Sequence, residues 1–197
     1  MRIVCIGDSL TEGDYGISGK RGIANVHSRN YPFFLSLLTG AETVNCGKCG
    51  YRSVNMLEYY KNGNIPVKGA DIIIVILGSN GGQSAKGDSP DNDAYAELIG
   101  LLREDAPEAR IVLCTPPHVT VDPAMSNCGY APQVKEAVGF VRRFAAEEEL
   151  ELIDLAACPL FTDATEKITQ PNDGIHFTET GYLILAGFIA RKLFGTA

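Results

Sequence analysis

The sequence predicts an α/β fold, a three-layer α/β/α sandwich built on a five-stranded parallel sheet. Five apolar runs rich in Val, Ile and Leu are continuous rather than alternating, which is typical of strands covered on both faces. Helical patterns separate these runs, so the chain contains five βα units in series, with connections expected to be right-handed. Its 197 residues are 45% hydrophobic, enough for one self-sufficient core, and we expect residues 1–197 to form a single domain.

The elements are predicted in chain order from apolar periodicity. The strands are expected at residues 2–7, 42–46, 71–78, 110–115 and 150–155. The helices are expected at residues 31–38, 53–61, around 95–102, around 134–145 and at about 180–194. Gly40 follows the first helix as a favoured terminating residue, and Ser53 is the expected N-cap of the second. The irregular segments 81–92, 116–132 and 156–175 each follow the carboxyl end of a strand, where ligands bind in open α/β sheets.

Charge and composition exclude several classes of partner. The net charge is −7, which argues against a nucleic acid or an anionic membrane, since both need a cationic face. The longest apolar run, residues 72–77, is too short to cross a bilayer, and no secretory leader precedes the first strand. The six cysteines are expected to be reduced thiols, because disulfide frameworks belong to small secreted domains. We therefore expect a cytoplasmic protein.

The first strand ends in Gly-Asp-Ser-Leu-Thr-Glu-Gly, residues 7–13. A serine just past a strand presents its Oγ at the carboxyl edge of the sheet, where Ser9 could act as a nucleophile. Ser9 and Glu12 also fit a capping box, in which Ser9 only caps the following turn. The run does not match the Gly-x-Ser-x-Gly turn of α/β-hydrolases, because Thr11 occupies the position of the second glycine. At this point both interpretations of Ser9 stay open.

A histidine near the end of the chain has a carboxylate three residues before it. In a helical turn that spacing lets Asp173 accept from the Nδ1–H of His176 and leaves Nε2 free as a base. Of the two other histidines, His27 is expected at the surface or at a helix start. His118 follows two prolines on a loop at the substrate side of the sheet.

Four blocks in fixed order complete a pattern: Gly-Asp-Ser-Leu at 7–10, Asn-x-Gly-x-x-Gly at 45–50, Gly-x-Asn at 78–80 and Asp-x-x-His at 173–176. Together they resemble the GDSL-type (SGNH) hydrolase family over nearly the whole chain. The resemblance implies a flavodoxin-like fold and hydrolysis of esters or thioesters. It implies Ser9 as nucleophile, His176 as base and Asp173 as the residue that orients the base. It also implies an oxyanion hole made of the Ser9 and Gly50 N–H groups and the Asn80 amide.

The sequence departs from the family after Asn80, where an acid is usual and Gly81 stands instead. This substitution bears on the loop around Asn80, and an aspartate restored at that position is expected to be tolerated. Asn-Gly is also a common turn dipeptide, so Asn80 could be a turn residue.

The expected substrate is a small-molecule ester, and no metal or organic cofactor is expected. No long amphipathic lid is evident, which favours short acyl groups such as acetyl on a carbohydrate or another small alcohol. A lysophospholipid or an acyl thioester is the alternative within the class. The side chains expected to line the acyl-binding face are Tyr15, Tyr51, His118, Tyr130 and Phe161.

Two other classes of function compete with hydrolysis. Cys46 and Cys49 form a Cys-x-x-Cys pair near a βαβ pattern, which is typical of a redox dithiol. The glycine-rich segment 16–22 suggests a nucleotide-binding module, but a P-loop needs glycine and a hydroxyl residue where the chain has Asp14 and Arg21. The dinucleotide fingerprint also fails, because Ser9 replaces its second glycine.

Overall fold

The structure, a computed structural model, describes residues 1–17 and 24–195. Residues 18–22 of the glycine-rich segment therefore lie outside the described residues. The strands are β1 (Arg2–Gly7), β2 (Glu42–Gly47), β3 (Ile72–Ile76), β4 (Arg110–Cys114) and β5 (Glu151–Ile153). They form one parallel sheet in the order β2-β1-β3-β4-β5. The predicted α/β fold with five parallel strands is confirmed.

Helices cover both faces of this sheet. They are α1 (Ser9–Glu12), α2 (Tyr31–Thr39), α3 (Ser53–Lys61), α4 (Pro90–Asp105), α5 (Ala131–Glu147), α6 (Glu166–Thr169) and α7 (Glu179–Phe194). Alternate residues of β3 point to opposite faces, as the period of a strand requires. Ile72, Ile74 and Ile76 pack with α2 and α7 in one core cluster, whereas Ile73 and Val75 pack with α3 and α4 in another.

The predicted boundaries hold best where a residue with a defined role ends an element. Asn30 caps α2 by accepting from the Phe33 N–H, and Gly40 ends the helix in the left-handed conformation. The fifth strand is shorter than predicted, because Leu155 opens a 3-10 turn that ends at Ala157. Short helical elements also interrupt two of the segments expected to be irregular, at Cys128–Tyr130 and in α6.

The predicted cap of α3 is wrong. The N-cap is Arg52, whose backbone N–H donates to the Asn55 side chain at 3.2 Å. Ser53 is the first helical residue, and its Oγ instead accepts a 2.8 Å hydrogen bond from the Gln83 side chain. The Ser53 hydroxyl, which the local sequence predicts to cap the helix, is thus bound by the buried Gln83 amide from a distant loop. Among the residues that the structure describes, none of the helices is both long enough and apolar enough to cross a bilayer.

Candidate active site

Ser9 lies at the carboxyl end of β1, the strand between β2 and β3. The carboxylate of Asp8 caps the turn that follows, accepting from the Leu10 N–H at 3.0 Å and from the Ser79 N–H at 3.2 Å. The capping-box interpretation of Ser9 is therefore wrong, because Asp8 is the N-cap and the Ser9 hydroxyl points elsewhere. Asp8 also joins the ends of β1 and β3, and its complete burial raises the pKa of this carboxyl to about 6.

A hydrogen-bonded chain of three side chains starts at Ser9. His176 Nε2 lies 2.9 Å from Ser9 Oγ, and His176 Nδ1 lies 2.6 Å from Asp173 Oδ2. The other oxygen of Asp173 accepts the backbone N–H groups of Ile175 at 3.0 Å and His176 at 2.9 Å. Ser9 precedes His176 by 167 positions in the sequence, and the structure brings them together where the end of β1 meets the segment before α7.

Burial and charge act in opposite directions on this pair. Burial lowers the pKa of His176, but its hydrogen bond to Asp173 and the charges of Asp173, Asp14 and Asp8 outweigh burial, so the net shift is upward. Burial raises the pKa of Asp173, but the hydrogen bonds and the charge of His176 outweigh it, so the net shift is downward. The site therefore favours a carboxylate that stabilises a proton arriving on the imidazole.

The residues expected to form an oxyanion hole come from two neighbouring loops. Asn80 Nδ2 donates to the backbone carbonyl of Tyr51 at 3.0 Å, which holds the amide beside the residue after Gly50. Gly50 has φ +77, and a Cβ added there would meet no atom within 4 Å. The glycine is needed for this left-handed conformation rather than for space within the free protein. Ser9 begins α1, where helical N–H groups lack intrahelical acceptors.

Of the aromatic residues expected at the acyl-binding face, Tyr51 and Tyr130 are partly accessible and Tyr15 is buried. Tyr15 is buried, its ring lies 4.1 Å from that of the exposed His27, and its hydroxyl donates to the Arg29 carbonyl at 2.6 Å. Tyr51 is half-buried against Tyr59, with ring centroids 5.8 Å apart. Tyr130 is half-buried at the start of α5.

The other two expected contacts have different surroundings. Phe161 is 2% exposed and packs on Phe177 with ring centroids 4.7 Å apart, so it is a core residue rather than part of an accessible surface. His118 Nε2 lies 3.2 Å from Glu166 Oε2 and 3.3 Å from Asp163 Oδ1. Among the described ranges, these three residues are the one group whose metal-ligand type atoms all lie within 4.8 Å of one another. An ion pair of a histidine with two acids produces the same spacing.

Sequence reasoning missed Asp14 as a site residue. Its side chain is 7% exposed, and its Oδ2 lies 3.8 Å from His176 Nε2 and 3.9 Å from Cys49 Sγ. Its Oδ1 accepts the backbone N–H groups of Gly16 and Asn25, each at 2.9 Å. The available signal was an acid five residues after Ser9, on a loop that leaves the same strand end.

The Cys-x-x-Cys pair lies beside the site but is electrostatically unsuited to thiol chemistry. All six cysteines are free, and Cys46 is buried, which raises its pKa to about 11. Burial and the hydrogen bond and charge of Glu12, with the charge of Asp14, raise the pKa of Cys49. A reactive thiol needs a lowered pKa, so the redox interpretation loses its physical basis.

Comparison with known sequences identifies one family. A model of the GDSL-like lipase/acylhydrolase family matches residues 5–184. A search of curated proteins finds no significant match.

Comparison with solved structures shows the same fold. A lipase/acylhydrolase from Enterococcus faecalis superposes with a TM-score of 0.72 at 20% identity, covering 98% of this chain and 94% of that one. The aryl esterase of M. smegmatis gives a TM-score of 0.72 at 18% identity, over 98% and 97% of the two chains. A carbohydrate acetylesterase from Sinorhizobium meliloti gives 0.72 at 19% identity, again over 98% and 97%.

Proposed function

This chain belongs to the GDSL-like lipase/acylhydrolase family of carboxylic ester hydrolases, and from that premise we propose a serine esterase that removes short acyl groups. The acyl group we favour is acetyl, carried by a carbohydrate or another small alcohol. The observation that carries the proposal is the relay from Ser9 Oγ to His176 Nε2 at 2.9 Å and from His176 Nδ1 to Asp173 at 2.6 Å. We further propose that residues 1–197 act as one catalytic domain.

The relay supports a two-step acyl transfer. Ser9 Oγ attacks the acyl carbon while its proton moves to His176 Nε2, and the carbonyl electron pair moves onto oxygen. The tetrahedral intermediate collapses, the bond to the leaving alcohol breaks, and His176 returns the proton to the leaving oxygen. Water then attacks the acyl-serine, gives a proton to His176 and releases the carboxylic acid with Ser9 restored. Asp173 keeps the proton on Nδ1 throughout and stabilises the imidazolium.

Three donors are proposed for the oxyanion that forms in each step. The hydrogen bond from Asn80 to the Tyr51 carbonyl uses one of the two N–H groups of the amide. The second N–H of Asn80, with the backbone N–H groups of Gly50 and Ser9, would stabilise the negative oxygen. Donors fixed before the reaction cost no reorganisation when the charge appears, which is why such positions dominate the rate.

The preference for a short acyl group is supported by the burial of the relay. Ser9 is 4% exposed and the His176 side chain 17%, so most of the relay is covered, which favours a small acyl group. The Sinorhizobium meliloti protein of similar fold is a carbohydrate acetylesterase, which is consistent with an acetyl ester as substrate. A lysophospholipid or an acyl thioester at the same site is the second candidate within the class.

A chain-length series tests the proposal. The kcat/KM of purified protein is measured on p-nitrophenyl esters from acetyl to dodecanoyl, beside an acetylated sugar, a lysophospholipid and an acyl thioester. We expect the highest values for acetyl and the acetylated sugar. Ser9→Ala should lower kcat by about 10⁶-fold, whereas the exposed serine variant Ser28→Ala serves as the control and should stay active. A maximum at long acyl chains, or a folded Ser9→Ala with more than a tenth of the activity, contradicts the proposal.

The free thiols are informative about the cellular compartment of the protein. All six cysteines are unpaired, including the half-exposed Cys49 and Cys128, as expected in a reducing environment. We propose a cytoplasmic location on this ground. Thiol titration of protein purified without reductant checks it, since six reactive thiols after unfolding support the proposal and any disulfide contradicts it.

A further inference from the structure

We propose that Asp14 binds a hydroxyl group of the leaving alcohol, so that the enzyme selects esters of diols and polyols over esters of simple alcohols. This inference rests on the proposed esterase function and adds to it the chemical class of the alcohol and the residue that recognises it.

The proton transfer at His176 explains why Asp14 is suitably placed to bind the leaving alcohol. In the step that releases the alcohol, His176 Nε2 must lie within hydrogen-bond reach of the leaving oxygen. Asp14 Oδ2 lies 3.8 Å from that same nitrogen. A hydroxyl on the second carbon of the leaving alcohol lies three bonds from the ester oxygen. A hydroxyl at that position can reach Oδ2 while His176 Nε2 contacts the leaving oxygen. A simple alkyl alcohol has no donor to place there.

The carboxylate of Asp14 is held rigidly with one oxygen to spare. Oδ1 accepts two backbone N–H groups, and the Asp14 backbone carbonyl accepts the Tyr182 hydroxyl at 2.7 Å. Within residues 1–17 and 24–195, the thiol of Cys49 at 3.9 Å is the only donor besides His176 that the structure gives Oδ2. A thiol at that distance is a weak donor, and a buried carboxylate oxygen without a strong donor is costly. A substrate hydroxyl would satisfy it.

The two carboxylate oxygens of Asp14 allow a binding role to be distinguished from a purely structural one. The structural work of the side chain, holding the Gly16 and Asn25 N–H groups, is done by Oδ1 alone. An asparagine at this position keeps that oxygen and places an amide nitrogen where Oδ2 was. The amide nitrogen can only donate, so it would no longer accept from a hydroxyl. Asp14→Asn therefore separates the two roles.

The experiment compares three acetate esters that differ at one group. In 2-hydroxyethyl acetate the leaving alcohol has a second hydroxyl, in 2-methoxyethyl acetate the donor proton is gone, and in n-propyl acetate a methyl group replaces the hydroxyl. We expect the wild type to prefer the hydroxyl ester in kcat/KM by about tenfold or more, the usual effect of a hydrogen bond to a charged group. In Asp14→Asn the three values should come within about threefold of one another. Using ratios within each variant cancels effects on Ser9 and His176.

Cys49→Ala is the matched control, since it removes the other neighbour of Oδ2 and leaves the carboxylate. It should keep the preference of the wild type. If Asp14→Asn does not fold, Asp14→Ser, whose hydroxyl can still accept a backbone N–H, replaces it in the same comparison.

The outcomes separate this inference from the function beneath it. Equal kcat/KM values for the three esters in the wild type overturn the role of Asp14 and leave the esterase standing. A preference that survives in Asp14→Asn also overturns it, because the hydroxyl is then recognised elsewhere. If the wild type hydrolyses neither these esters nor phenyl acetate, the proposed function fails and the inference with it.

Discussion

The substitution Asp173→Asn tests the relay with the least change in shape. In the wild type, Asp173 Oδ1 accepts the backbone N–H groups of Ile175 and His176, and Oδ2 accepts from His176 Nδ1 at 2.6 Å. The asparagine oxygen can keep both backbone bonds, which places its NH₂ opposite Nδ1. That group donates, so the imidazole must carry its proton on Nε2. The nitrogen that faces Ser9 Oγ at 2.9 Å is then a donor and no longer a base.

The variant should therefore lose activity because His176 adopts the wrong tautomer, not because the geometry of the site changes. A comparable triad loses about 10⁴-fold in kcat on this substitution. At about 1.36 kcal/mol per factor of ten, this is a barrier increase of about 5.4 kcal/mol. KM should change little, because Asp173 does not contact the substrate.

The assay is steady-state hydrolysis of p-nitrophenyl acetate at pH 8, with circular dichroism and a melting curve on the same preparation. Asn172 and Asp122 are unsuitable as controls, because the Asn172 side chain donates to the Tyr15 carbonyl and the half-buried Asp122 carboxylate accepts from the Ala124 N–H. The suitable control is the exposed Asp88→Asn. A folded Asp173→Asn that keeps more than a tenth of the wild-type kcat would refute the assigned role of Asp173.

The melting curve carries a second signature of the same pair. The pKa of His176 is raised from 6.5 and that of Asp173 is lowered from 3.8. Their mutual stabilisation is thus fully present between these two ordinary values. It is lost as pH falls through the lowered pKa of Asp173 and as pH rises through the raised pKa of His176. Asp173→Asn should lower Tm most near pH 5–6, and a difference that does not vary with pH contradicts the ion pair.

Three further predictions concern the site. Asn80→Ala should lower kcat by about 10²–10³-fold with KM little changed, because the amide engages the tetrahedral oxyanion, and normal turnover with a lower Tm would make Asn80 a turn residue. Gly81→Asp, which introduces the acid usual in the family, should lower stability by about 1 kcal/mol or more instead of being tolerated, since Gly81 has φ +72, a conformation in which an L side chain is strained. Unchanged denaturant unfolding contradicts this prediction. The kcat/KM should rise with pH through one apparent pKa above 6.5, because the net shift of His176 is upward, and a profile that is flat from pH 5 to 8 removes His176 from the role of base.

The sequence determined the fold and the identity of the relay residues. Continuous runs rich in Ile and Val such as Ile72–Ile76 are typical of strands covered on both faces, so composition and periodicity predicted the parallel sheet. The carboxyl ends of parallel strands meet at one edge, which is why the blocks holding Ser9, Gly50, Asn80 and His176 were expected to converge.

Tertiary structure decided the contacts between loops that are distant in the chain. Asp8 caps α1 through a local bond from the Leu10 N–H, but no local pattern shows its second bond, which comes from the Ser79 N–H after β3. Likewise Phe161 follows a strand end, as a substrate contact would, but packs on Phe177 in the core. Asp14 lies near His176 in a loop that long-range hydrogen bonds hold, from Asn172 to the Tyr15 carbonyl at 2.8 Å and from the Tyr182 hydroxyl to the Asp14 carbonyl. Periodicity reports which face of an element is buried, whereas the partner of a polar side chain depends on how loops fold over the sheet edge.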